Sequence, residues 1–160
     1  MKQIVLIAAL AFSASVFGQS EMKEDVDLIQ AAWGKTKREL VAAYMNVEEA
    51  KATAFWKVYD KYEAERKALG RKRIQLINDY AINYDTLTNA KADQLVRAMH
   101  QNNIAYENLH LKYYGQVKTI LGAVNAAKFI QLESALQTFI KGEIQEAIPF
   151  IGEIEREKKN

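Results

Sequence analysis

Aromatic and basic side chains follow one another in the first half of the chain, in an arrangement that can bind a polypeptide. The basic run is Arg66, Lys67, Arg71, Lys72 and Arg73, and it comes shortly after a stretch rich in aromatic residues. Rings bury apolar area at short range, while guanidinium groups attract acidic segments from farther away. The sequence predicts seven residues that contact a client or partner: Phe55, Trp56, Tyr59, Tyr62, Arg66, Arg71 and Arg73.

Each half of this predicted site also has a simpler structural interpretation. A basic run often forms the solvated face of a long helix, where Glu63 and Lys67 would make an ordinary i,i+4 ion pair. The tyrosines lie at heptad positions, where rings usually fill the seam between two helices. Trp56 lies beside that seam and is the stronger candidate for a contact with another chain.

The two histidines are the other side chains that suggest a site. Glu107 and His110 form a Glu-x-x-His pair, but a di-iron helical bundle needs two such pairs and two further glutamates. His100 lies about 15 Å from His110 along a helix, which is too far for one ion. The sequence therefore predicts no metal site and no cofactor. A transient site would use Glu107 and His110 with a partner chain, and surface histidines are the simpler interpretation.

Composition narrows the class of protein. The 160 residues carry a net charge of +2, are 49% apolar and 26% charged, and include one Pro, seven Gly and no Cys. So small a basic excess argues against a nucleic-acid binder, and so few turn residues argue against a sandwich or barrel. The lack of Cys excludes disulfides, thiolate metal sites and cysteine nucleophiles. The chain has no phosphate-binding loop, Gly-x-Ser-x-Gly or His-Glu-x-x-His motif, so we expect that it is not an enzyme.

The N-terminus has the pattern of a secretory signal peptide. Met1 and Lys2 form a basic start, residues 4–12 are uncharged and apolar, and Val16-Phe17-Gly18 fits the cleavage rule. A membrane-spanning helix needs about 20 apolar residues, more than this run has. The alternative is a buried N-terminal helix. The expected organisation is a signal peptide at 1–18, one helical domain at 19–152 and a charged flexible tail at 153–160, in a protein exported to the bacterial periplasm.

Hydrophobic periodicity predicts helices along the rest of the chain, at about 25–44, 47–85, 89–121 and 124–147. Apolar residues of the two long helices recur in steps of three, four and seven, which is a heptad seam. The short Leu87-Thr88 connection, with Thr88 as N-cap, makes these two helices antiparallel. The predicted fold class is all-α: an elongated antiparallel helical hairpin or bundle of about four helices, two of them long.

Local signals accompany these helices. Gly34 weakens the middle of the first helix. Asn46 has the spacing of an N-cap for the second helix, with Glu49 completing a capping box. Gly70 permits a bend in the second helix, and Gly122 ends the third.

The predicted helix starts share a pattern in which an apolar residue precedes a turn and a new helix. They are Met45-Asn46-Val47-Glu48-Glu49, Leu87-Thr88-Asn89-Ala90-Lys91 and Leu121-Gly122-Ala123-Val124-Asn125. This pattern resembles the LTxxQ motif of the Spy/CpxP family of periplasmic stress proteins, although no fifth position here is Gln. Export, size, helical content and the lack of Cys also agree with that family. The resemblance covers nearly all of residues 25–147.

The resemblance implies a thin, curved helical dimer whose concave face binds unfolded or misfolded clients without ATP. The expected function is that of an exported, ATP-independent chaperone-like or envelope stress-response protein, as a homodimer without nucleic acid or a transmembrane segment. Some relatives act as sensors or inhibitors in envelope stress signalling, and some sense metals. The alternative is therefore a periplasmic sensor or regulator that docks one protein partner. A cage-like chaperone resembling the Skp type is disfavoured, because we find no strand candidates.

Overall fold

The computed structural model describes Ile29, Ala32 and residues 34–146 of the chain. Four helices follow one another in this part: α1 Lys37–Met45, α2 Glu49–Asn83, α3 Asn89–Leu121 and α4 Ala123–Glu146. A single 3₁₀ turn, Tyr84–Thr86, lies between α2 and α3. No strand occurs among the described residues, so the predicted all-α bundle of about four helices, two of them long, is confirmed.

Several predictions fall on residues that the structure does not describe. The signal peptide at 1–18, the tail at 153–160 and the end of the last helix at Ala147 all lie outside the described residues. Within the described residues, no helix is both long enough and apolar enough to cross a membrane.

The two long helices form an antiparallel hairpin. α2 has 35 residues and α3 has 33, so each is about 50 Å long. Glu65 of α2 contacts Lys112 near the end of α3, whereas Asp79 contacts Lys91 near its start. The backbone amide of Lys91 donates to Thr88 Oγ1 at 3.2 Å, which confirms Thr88 as the predicted N-cap.

The last helix folds back onto the hairpin. Gly122 ends α3 with a φ of +83°, a backbone conformation that favours glycine, and α4 begins at the next residue. α4 packs along α3, and α1 packs against α4. All four helices therefore contribute to one core at this end of the hairpin, formed by the buried residues Val41, Met45, Phe55, Tyr59, Tyr62, Leu109, Tyr113, Val117, Ala126 and Phe129.

The prediction of one continuous helix at about 25–44 is wrong. Ile29 and Ala32 are helical, but Gly34 has a φ of +64° and residues 34–36 are not helical. Thr36 then begins α1 as its N-cap, in a full capping box with Glu39. Glycine adopts this left-handed conformation without steric cost, and the Thr-x-x-Glu spacing starts a new helix directly after it.

The predicted capping box at Asn46 is also wrong. Asn46 has φ 43° and ψ 57°, and its amide donates to the Ala42 carbonyl at 3.0 Å, so it closes α1 instead of opening α2. Asparagine tolerates this left-handed conformation better than most residues. α2 begins at Glu49 after Glu48, which makes no side-chain cap. Gly70 lies inside α2, which continues past it without interruption.

Candidate functional site

The aromatic half of the predicted site lies in the core. Phe55, Tyr59 and Tyr62 are all buried. The ring of Phe129 from α4 lies 5.9 Å from that of Phe55 and 5.3 Å from that of Tyr62, in edge-on contacts. Tyr113 of α3 lies 5.3 Å from Tyr62 on another side. In this conformation the rings pack between helices, as the simpler interpretation held, and other chains cannot reach them unless the bundle opens.

Trp56 lies at the boundary between core and solvent. Its side chain is partly buried, and its ring contacts those of Phe55 at 5.0 Å and Tyr59 at 5.3 Å. The guanidinium carbon of Arg38, from α1, lies 4.3 Å from the centre of the Trp56 ring, which is a cation–π contact. Trp56 therefore links α1 to the aromatic core.

The basic half of the predicted site is divided among different environments. Arg66 is buried, and its Nε donates to Glu63 Oε1 at 2.8 Å. Arg73 is half-buried and donates to Asn103 of α3, and burial lowers the pKa of its guanidinium. Arg71 is exposed. The three arginines thus do not form one continuous basic surface with the aromatic rings.

A buried ionic cluster joins three helices beneath this region. Lys37, the first residue of α1, places its Nζ 2.5 Å from Glu133 Oε2 of α4 and also pairs with Glu63 of α2. The hydroxyl of Tyr62 donates to the same Glu133 oxygen at 2.8 Å. Glu133 is only 1% exposed, so its charge must be balanced inside the protein. Lys37 is the cation that balances it.

Electrostatics in the cluster differ from group to group. Burial alone raises the pKa of the Glu63 carboxyl, but the charges of Lys37 and Arg66 outweigh burial, so this pKa lies below its ordinary value. Burial raises the pKa of the Tyr62 hydroxyl far above its ordinary value, and the charge of Glu133 adds to that effect. At neutral pH the cluster therefore holds an ionised Glu63 and a neutral Tyr62.

Two atoms in or near the cluster are buried without a hydrogen-bond partner: Glu133 Oε1 and His110 Nε2. The His110 ring lies 6.2 Å from the Tyr62 ring. Burial lowers the pKa of His110 below its ordinary value of 6.5. The charges of Glu107 and Glu133 act in the opposite direction but do not outweigh burial. His110 is thus a core histidine, and the interpretation that both histidines lie on the surface is wrong for it, while His100 is exposed.

The Glu107 and His110 pair does not gain further ligands from other helices. Glu107 is exposed, whereas His110 is buried. Nowhere in the described residues do three or more His, Cys, Asp or Glu side chains come together in a group that could hold a metal ion.

An open apolar groove lies between α3 and α4, near the turn that joins them. Its volume is about 890 Å³, and it is lined by Glu107, His110, Leu111, Tyr114, Val124, Ala127, Lys128, Ile130 and Gln131. Leu111 is 71% exposed and Val124 is 83% exposed. We call this the α3–α4 groove. The sequence does carry a signal for it, because Leu111 lies off the heptad seam, between Leu109 and Tyr113.

A smaller depression of about 470 Å³ lies beside α1, where Ile29, Lys37, Tyr59, Glu63 and Arg66 are among its lining residues. It reaches the edge of the buried ionic cluster, and six of its ten lining residues belong to α2. Comparisons with protein-family models, curated proteins and solved structures find no match to this chain.

Proposed function

We propose that this protein binds exposed apolar segments of other polypeptides without a nucleotide, as an exported chaperone-like or envelope stress-response protein that resembles the Spy/CpxP family. The observation that carries the proposal is the α3–α4 groove, where Leu111 and Val124 remain largely exposed. The periplasmic location rests on the signal-peptide pattern of residues 1–18. We further propose that the protein works as a homodimer.

The chemistry of the groove suits an apolar segment with mixed charges around it. Leu111, Val124 and Ile130 offer aliphatic area, and Tyr114 adds a ring with a hydroxyl. Glu107 and Lys128 place one charge of each sign in the lining. Apolar side chains in a solvent-filled groove gain by transferring out of water, whereas scattered single apolar residues on a surface do not mark a site. Such a groove binds segments that are rich in apolar residues and does not require one particular sequence.

The exposed arginine of the predicted site fits this proposal as a source of long-range attraction. Arg71 is exposed on α2, in a run that also includes Lys67 and Lys72. Charges of this kind increase the rate of encounter with an acidic client and act less strongly in salt. The proposal therefore assigns short-range binding to the groove and steering to the basic run.

The experiment follows aggregation of a chemically denatured client by light scattering on dilution, with the chain 19–160 and no nucleotide. We expect near-stoichiometric protein to suppress aggregation and a Leu111→Ser/Val124→Ser variant to lose most of that suppression. The control is Ile82→Ser, because Ile82 is also 83% exposed but lies at the far end of α2. Ile82 follows Asp79 by less than one helical turn, and Asp79 contacts Lys91 near the start of α3. Lys91 is about 30 Å from Leu111 along α3, so Ile82 lies far from the groove.

Failure to suppress aggregation of several unrelated clients would contradict the proposal. Equal loss in the groove variant and the Ile82 variant would contradict the assignment to the groove. The second candidate, a regulator that docks one protein partner, uses the same groove and predicts saturable binding of a single partner and no general suppression. A metal input through Glu107 and His110 would appear in that case as metal-dependent partner binding.

A further inference from the structure

Helix α1 attaches to the bundle through a single face. Its buried side chains are Lys37, Val41 and Met45, which recur at every fourth residue and so lie along one side of the helix. Val41 and Met45 enter the core, and Lys37 enters the ionic cluster. The other described contacts of α1 lie nearer the surface: Arg38 contacts Asp60 and the partly buried Trp56, and Tyr44 contacts Lys128 of α4.

Both ends of α1 are marked by turns, and the helix is short. Gly34, at φ +64°, precedes it, and Asn46, at φ +43°, follows it. It has nine residues, and isolated helices shorter than about 12–15 residues are marginal in water. α1 is therefore held by its docking contacts rather than by its own stability. It fully buries only two apolar side chains, Val41 and Met45, and elements with few buried apolar contacts open more readily than the rest of a protein.

The surface beneath α1 combines rings with carboxylates. Phe55, Tyr59 and Tyr62 of α2 and Phe129 of α4 form its apolar part. Glu63 and Glu133 form its acidic part, and both contact Lys37. One oxygen of Glu133 is buried and has no hydrogen-bond partner, so the site retains a free acceptor that α1 does not use.

We infer that α1 occupies a polypeptide-binding groove on α2 and α4, and that amphipathic helices of client proteins take its place. The matching partner carries a Lys or Arg one turn ahead of two apolar residues, because Lys37, Val41 and Met45 have that spacing. The acidic pair selects the cation, and the rings accept the apolar residues. This inference rests on the proposed function and gives three buried residues of the sequence-predicted site, Phe55, Tyr59 and Tyr62, a place in it.

The inference is tested by locking α1 in place. The Lys128 ammonium lies 4.7 Å from the centre of the Tyr44 ring, across the contact between α4 and α1, and the chain has no Cys of its own. A Tyr44→Cys/Lys128→Cys variant of the chain 19–160 can therefore be joined with a short bismaleimide. The same variant capped with N-ethylmaleimide is the matched control, because it carries both substitutions without the link.

The probe is a fluorescently labelled synthetic peptide with the sequence of residues 35–47, followed by anisotropy. We expect it to bind the capped variant, and to bind the locked variant at least about tenfold more weakly. A peptide with Glu in place of Lys37 should also bind at least about tenfold more weakly, because it opposes two carboxylates. In the full chain, Thr36→Ala weakens α1 and should tighten peptide binding several-fold, since it raises the fraction of open groove.

Equal binding to the locked and capped variants would overturn the inference, because the peptide would then be bound elsewhere. No binding to the capped variant would overturn it too, since α1 would be a permanent part of the core. A cross-link that joins two chains on a denaturing gel would assign the groove to a second copy instead of a client. The two proposals can also fail separately. If the Leu111/Val124 variant loses suppression of client aggregation but locking α1 does not change it, the proposed function stands and this inference is refuted.

Discussion

At the scale of single residues, the least usual feature is a carboxylate in the core. Glu133 is almost fully buried and receives a hydrogen bond from Tyr62 and an ion pair from Lys37. Removing ions from water is costly, and a buried pair often contributes little net stability. Such a pair does discriminate strongly against arrangements in which either charge lacks its partner. The cluster therefore specifies where α1 docks more than it increases stability.

The first prediction concerns this pair. Lys37→Met should destabilise the fold by about 3–5 kcal/mol, because it leaves Glu133 buried without a cation. The double variant Lys37→Met/Glu133→Gln should recover much of that loss. The neighbouring control is Arg38→Met, which should cost only about 1 kcal/mol, because the Arg38–Asp60 pair is 51% and 60% exposed and the contact of Arg38 with Trp56 contributes little at an exposed site. Urea unfolding at pH 7 measures all three, and equal losses for Lys37→Met and Arg38→Met would contradict the prediction.

At the scale of secondary-structure elements, helix ends decide how the chain is divided. Gly34 and Thr36 separate α1 from the residues before it, and Asn46 separates it from α2. Thr88 opens α3, and Gly122 turns the chain into α4. Gly34, Gly122 and Asn46 have a positive φ. The backbone preferences of glycine and asparagine therefore determine where the chain turns at these three positions. α1 exists as a separate helix because of these turns.

The second prediction concerns the cap of α1. Thr36→Ala should lower stability by about 1 kcal/mol, because it removes the oxygen that accepts from the Glu39 amide. The control is the same substitution at Thr119, whose hydroxyl only donates to the Gly115 carbonyl within α3. Thr119→Ala should be neutral or slightly stabilising in the same urea titration. A Thr36→Ala variant as stable as the parent would show that the capping box contributes nothing.

The third prediction compares two glycines. Gly70 lies inside α2, and a Cβ there would be 3.5 Å from the Tyr106 hydroxyl, an ordinary contact. Gly70→Ala should therefore stabilise by about 0.5–1 kcal/mol through improved helix propensity. Gly122→Ala should destabilise by about 1 kcal/mol or more, because its φ is +83°. Thermal unfolding should move the two midpoints in opposite directions, and a lower midpoint for Gly70→Ala would mean that Tyr106 cannot adjust.

At the scale of the whole molecule, the bundle has an aromatic end and a more polar end. The aromatic end contains the ten-residue core to which all four helices contribute. Farther along, Asn102 donates to the Leu69 carbonyl, and Arg73 pairs with Asn103 between α2 and α3. The buried Arg73 Nε, Asn102 Oδ1 and Gln137 Nε2 have no partner. Local opening exposes less apolar surface at the polar end than at the aromatic end. We therefore expect α2 and α3 to be more protected from hydrogen exchange at the aromatic end than at the polar end, whereas α1 exchanges faster because it opens separately.

The fourth prediction is a loss of stability in acid. His110 has a pKa below 6.5 in the folded chain. As pH falls below about 6.5, His110 is protonated in the unfolded chain before it is protonated in the folded chain. The free energy of unfolding therefore decreases. The depressed pKa of Glu63 adds a second loss as pH falls below about 4.5. The charged or titratable groups that act on His110 come from three helices: Lys37 of α1, Glu107 of α3, and Glu133 and Lys141 of α4.

Urea midpoints at pH 7.5 and 5.5 test this dependence. His110→Gln should remove most of the difference between the two midpoints, whereas His100→Gln, at an exposed position, should keep it. An unchanged difference in His110→Gln would mean that other groups cause the dependence.

The sequence alone determined the fold class, the two long antiparallel helices, the Thr88 cap and the seam positions of Tyr106 and Tyr113, because helical periodicity and caps are local signals. It did not determine which carboxylate or histidine is buried. Glu133 and His110 look like ordinary polar residues of amphipathic helices, and only the crossing of α1, α2 and α4 makes one an internal ion. Tertiary packing likewise buried Phe55, Tyr59 and Tyr62 in a core shared by all four helices and left Leu111 and Val124 exposed, since burial depends on neighbours that are distant in the chain.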